Sequence, residues 1–230
     1  MEGNETEGSR APGGTRAWIG YVAPMAAFLG ITYLEGVASK QYVWIYIAKA
    51  LVVTALLIAG RATWKRDMRW SAPMLLLGTV VGLLCFAGWV LIDPLTPHFA
   101  FLGKRTEYNP FKEIADPAVR ALFLAVRFYG LALVVPVMEE LFWRSFLLRW
   151  ITDQEFEKLP VGAFSWAAFG IVAAAFGIAH PEWLVAILFA CAMALLLRQT
   201  RSLFACIVAH GVTNLALGIF VLSTGKWQYW

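Results

Sequence analysis

The sequence predicts an all-α fold, a polytopic transmembrane helix bundle of about seven spans, and three observations predict it. Sixty per cent of the 230 residues are apolar and 15% are charged, whereas a soluble domain carries about 45–50% and about 25%. The apolar residues gather in runs close to the ~20 residues that a helix needs to cross a hydrocarbon core of about 30 Å. Lys and Arg collect between those runs, on alternate sides of them. Together these exclude a soluble globular domain, a disordered chain and a secreted disulfide scaffold. The three cysteines, Cys85, Cys191 and Cys206, all lie inside apolar runs and read as small buried hydrophobes. The net charge of +4 sits in short clusters between spans rather than along one face, so no nucleic-acid partner is expected.

Residues 1–17 are polar and rich in Gly, Glu, Arg and Ser; they read as a mobile cytoplasmic tail, with no signal peptide. The remainder, 18–230, reads as a single integral membrane domain. Its candidate spans are 18–34, 42–60, 72–92, 121–150, 163–180, 183–197 and 203–222, and there are eight if the long 121–150 segment is split. One side of the spans holds Arg10, Arg16, Arg61, Lys65, Arg66, Arg69, Arg144, Arg149, Lys158, Arg198 and Arg201. The other holds Lys40, Lys104, Arg105, Lys112, Arg120 and Lys226, while Lys49 and Arg127 fall within spans. Cytoplasmic loops collect basic residues, so the N-terminus is expected in the cytoplasm, in the inner membrane of a bacterial or archaeal cell. Residues 93–117, dense in Asp-Pro and Asn-Pro turn signals, form the sizeable loop on the opposite side.

The chemistry sits in 121–222. Ionisable groups at membrane depth cost ~2.5–3.5 kcal/mol each and mostly face protein or a water cavity, so the Glu139-Glu140 pair in the long segment demands a reason. That segment is expected either to start in the interface or to bend near Pro136. Arg144 follows Glu140 by four residues, the favourable order for a helical ion pair, which leaves Glu139 without a local partner and free to react. Of three histidines, His98 lies in the Pro-rich loop and reads as a solvated bystander. His180 ends the fifth span before Pro181, and His210 lies inside the seventh, one turn before Asn214. At about 1.5 Å per residue, Glu140 and His210 lie at a similar depth of ~12–15 Å from the cytoplasmic ends of their helices. His180 lies about 25 Å along its own span, and the short sixth span suggests that the His180-Pro181-Glu182 turn is recessed around a wet cavity.

Glu139-Glu140-Leu-Phe-Trp-Arg144, then Phe176-Gly-Ile-Ala-His180, then His210-Gly-Val-Thr-Asn214 form an ordered set over roughly 128–222. This set resembles the CAAX protease and bacteriocin-processing family of intramembrane endopeptidases, which includes the type II CAAX prenyl proteases. Where the family's turn before the last motif often has Gly, this chain has Arg201. The resemblance implies a peptidase in which Glu139 activates water with help from His180, His210 and Asn214 stabilise the oxyanion, and Arg144 orients Glu140. It implies a membrane-associated polypeptide substrate, lipidated or not, and no cofactor. Elementary chemistry agrees: a carboxylate away from bulk water is a competent general base, and imidazole and amide donors suit developing negative charge. Three alternatives stay open: a zinc site of Glu139, His180 and His210 with water as fourth ligand, a non-catalytic scaffold or immunity protein of the same fold, and a proton relay or transporter.

Overall fold

A computed structural model describes residues 18–102 and 107–230. The tail 1–17 with Arg10 and Arg16, and the loop residues Lys104 and Arg105, lie outside the described residues. Seven principal helices occupy the expected segments: α1 Ile19–Val37, α2 Tyr42–Trp64, α3 Ala72–Ile92, α4 Pro117–Thr152, α5 Trp166–Ile178, α6 Trp183–Thr200 and α7 Leu203–Thr224. No strand occurs among the described residues.

Local chemistry sets the helix ends. Asp116, followed by Pro117, opens α4 by accepting from the amides of Ala118 and Val119; Ser165 and Ser202 do the same for α5 and α7 through Ala168 and Ala205. Gly225, at φ 70°, closes α7.

Five of the helices, α2, α3, α4, α6 and α7, are long and apolar enough to cross a membrane. The other two of the seven helices fall short of that length and composition. Helix α1 runs for 19 residues but carries Glu35, which lowers its hydropathy. Helix α5 has 13 residues, about 20 Å by helix rise, too short for a core of about 30 Å. The long α4 is not split into two spans: it continues for 36 residues through two π-helical turns, Gly130–Val134 and Leu141–Leu147.

Helix direction alternates. Gly78 and Gly82 of α3 face Ala205 and Ala209 of α7 in the same order, so these two helices run parallel, with the backbones in contact. Apolar tails give helices no reason to associate in lipid, so close packing at small residues takes over that task. A Cβ at Gly82 would lie 2.5 Å from the Ala209 carbonyl oxygen, and Thr213 Oγ1 donates to the Gly82 carbonyl at 2.9 Å. Gly82→Val is therefore expected to destabilise the protein by about 1–3 kcal/mol, as overpacking does; a melting temperature in detergent equal to wild type would contradict this seam.

The charges inside the bundle are mostly paired. Lys49 Nζ contacts Glu35 Oε2 at 2.6 Å, bridging α2 to α1. Asp67 accepts from Tyr21 at 2.8 Å, from Arg149 at 2.7 Å and from Ser145, which ties the α2–α3 connection to α1 and α4. His98 is more than a bystander: its Nε2 lies 3.1 Å from the buried Asp93. Arg144, counted from sequence with the cytoplasmic basic residues, is fully buried within the bundle. Cys206 is buried and Cys85 and Cys191 are half-buried, all three as free thiols.

Candidate active site

The site forms where α4, α5, α6 and α7 meet, and Pro136 explains part of its shape. Lacking an N–H, Pro136 cannot bond the carbonyl of Ala132 four residues back, and the π-helical turn Gly130–Val134 lies just before it. The carbonyls there turn to α7 instead. Asn214 Nδ2 donates to Leu131 O at 3.1 Å, and Gly211 passes so close to Ala132 O that a Cβ would lie 2.6 Å from it. This contact fixes the register of His210 against Glu139-Glu140. The second π-helical turn follows the two glutamates directly and contains Arg144; such turns recur at functional sites.

Glu140, Arg144 and His210 interlock. Arg144 lies 3.3 Å from Glu140 Oε1, neither side chain having any exposure, as the four-residue spacing predicts. The same Oε1 accepts from His210 Nδ1 at 2.9 Å, so the equal depth inferred for Glu140 and His210 is realised as a direct bond. Nδ1 being held, the free nitrogen of His210 is Nε2, which faces Glu139 Oε2 at 3.9 Å. Glu139 is 8% exposed, and its Oε2 is buried without a hydrogen-bond partner. Buried polar atoms are nearly always satisfied; Glu140 Oε2 and the Arg144 nitrogens also lack a hydrogen bond, but Glu140 is fully buried against Arg144, whereas Glu139 keeps some exposure and is clear of that ion pair.

His180 joins the site through Phe176. Its Nδ1 lies 2.7 Å from Phe176 O, and its ring stacks on Phe176 with centroids 4.4 Å apart. Phe176 stacks on Phe189, which meets His210 edge-on at 4.9 Å. Arg144 lies over the Phe176 ring at 4.7 Å, which gives a buried cation the electrostatic contact that a π face supplies. The structure thus brings Glu139, Glu140, Arg144, Phe176 and His210 together, sets His180 beside them across Phe176, and points one amide N–H of Asn214 at the α4 backbone. Phe189 was missed from the sequence, where one Phe in an apolar helix gives no signal.

Among the described residues, no three His, Cys, Asp or Glu side chains group closely enough to hold a metal ion. The Glu139, His180 and His210 set weighed for zinc is not gathered in that way.

No curated protein and no solved structure matches the chain. The stretch 121–216, which carries every one of these motif residues from Glu139 to Asn214, is similar to the family model described as Rce1-like, type II CAAX prenyl endopeptidase Rce1-like, and the long apolar helices make the protein an integral membrane protein.

Proposed function

We propose that the protein is a glutamate-dependent intramembrane endopeptidase acting on membrane-associated polypeptides. The observation that carries this reading is Glu139 Oε2, a buried carboxylate oxygen with no hydrogen-bond partner, facing His210 Nε2 across 3.9 Å. A base held ready for a substrate proton has this character. In the reaction, Glu139 takes a proton from the attacking water while the water oxygen bonds to the peptide carbonyl carbon, and that proton passes on to the departing amine. His210 Nε2 and the second amide proton of Asn214 meet the oxyanion. His180 assists from beyond Phe176, and no metal takes part. Glu140 and Arg144 position His210 and are not reacting groups.

The substrate is a polypeptide that reaches the site from the bilayer, with a prenylated C-terminal tail among the candidates. The arginine-rich loops put that face of the protein, and with it the N-terminus, in the cytoplasm.

The test is purified protein with candidate membrane peptides, paired with comparative proteomics of cells carrying wild type or Glu139→Gln. Wild type should cleave, and a membrane polypeptide should keep an uncut terminus in the variant cells. Cleavage at the wild-type rate by Glu139→Gln and by His210→Ala would end this assignment. Loss of cleavage in chelator, restored by zinc, would replace it with metal chemistry.

A further inference from the structure

A cavity of about 530 Å³ opens at the arginine-rich end of the bundle, where α2, α4 and α6 end and α3 and α7 begin. Glu140 lies nine residues from Arg149 and His210 eight from Ser202, so by helix rise this cavity stands about 12–14 Å from the peptidase site. Four arginines, Arg66, Arg69, Arg149 and Arg201, line it against two carboxylates, Asp67 and Glu157. Arg149 is 3% exposed and rigidly held, donating to Asp67, to Ser145 and to the Leu159 carbonyl. Asp67 is therefore already matched. The side chains of Arg66, Arg69 and Arg201 make no ion pair or hydrogen bond among the described residues.

The backbone is bent out of its ordinary range to place one of them. Arg201 is the sole described non-glycine residue at positive φ, 55°, a conformation that is costly for a residue with a Cβ. Glycine would end α6 there more cheaply. Across the gap, Gly162 sits at φ 81°, and a Cβ on it would lie 2.6 Å from Arg201 Cδ. The 160–163 turn thus leaves room for the arginine stem to lie against it. Strain that persists at a non-glycine residue points to a use for its side chain.

We infer that this cavity binds a phosphate group, and that the phosphate is the headgroup of an anionic glycerophospholipid. Guanidinium forks match phosphate oxygens in pairs. The cavity adjoins the ends of the apolar helices, and Trp70, 72% exposed at its rim, is an interfacial residue type. Met74 and Val161 also line the cavity and suit the glycerol and upper acyl chain. A phosphate there would pair with the unmatched arginines beside Glu157 and brace the ends of α4, α6 and α7, helices that carry peptidase residues.

The test uses the full chain in nanodiscs of mixed phosphatidylglycerol and phosphatidylcholine, with retained lipid counted by native mass spectrometry. Wild type should retain phosphatidylglycerol preferentially. Each neutralised arginine should weaken retention roughly five-fold, at the size of one basic residue near an anionic surface, so the Arg66→Gln, Arg69→Gln, Arg201→Gln triple variant should lose the preference. Arg201→Gly separates binding from folding: it relieves the backbone, so its melting temperature in lipid-free detergent should equal or exceed wild type while phosphatidylglycerol retention falls. Equal retention of both lipids by wild type, or unchanged retention by the triple variant, overturns the proposal. A second arm adds millimolar inorganic phosphate to lipid-free protein; stabilisation that matches phosphatidylglycerol and vanishes in the triple variant would keep the phosphate site but overturn the lipid as its occupant.

Discussion

Glu140→Leu is expected to destabilise the protein by about 3–5 kcal/mol, the cost of breaking one partner out of a buried ion pair. The glutamate and Arg144 have no exposure at all, and the carboxylate is also the acceptor for His210 Nδ1. Removing it strands a guanidinium whose remaining contacts are the faces of Phe176 and Phe189, and it leaves the histidine proton unmatched. Arg144→Met should cost a similar amount by stranding the carboxylate. The double variant, Glu140→Leu with Arg144→Met, should recover the part of the loss that comes from the stranded charge, because two apolar side chains of similar volume can replace a buried pair at little cost, while His210 Nδ1 stays unmatched. Equilibrium unfolding in mixed micelles measures all three. Single-variant losses below about 1 kcal/mol, or a double variant as unstable as the sum of the singles, would show that the pair is not a coupled unit.

Glu139→Gln should behave in the opposite way. The substitution keeps shape, and the Oε2 atom it replaces holds no hydrogen bond in the fold, so stability should stay within about 1 kcal/mol of wild type. Cleavage should fall by about 10²–10⁴, the usual contribution of a general base. The contrast between neighbours is the informative result: one glutamate needed for folding, the next for turnover. If Glu139→Gln unfolds the protein as Glu140→Leu does, Glu139 is a packing residue and the base must be sought elsewhere.

Much of this arrangement could be read along the chain because it is local. The apolar runs marked all seven helices within a few residues, and their starts are equally local, since at Asp116, Ser165 and Ser202 a side-chain oxygen meets amides two or three residues on. The Glu140–Arg144 pair follows from helical spacing, and rise per residue was enough to place His210 at the level of Glu140. What did not follow is any contact whose partners are distant in sequence and alike in type. Counting depth could not tell which of two adjacent glutamates His210 would bond. Nor could it show that His180 reaches the site by stacking on Phe176, or that the Asn214 amide meets a carbonyl beside Pro136.

The same division holds for the whole molecule. A lipid-spanning helix is an affair of composition and length, since its backbone bonds close within the segment and its apolar surface meets acyl chains, so one dimension of information suffices to place it. Partner choice among buried charges and the strained turn at Arg201 depend on azimuth and translation between helices. Those are set by steric fit at Gly78, Gly82 and Gly211, a property that emerges once the helices touch.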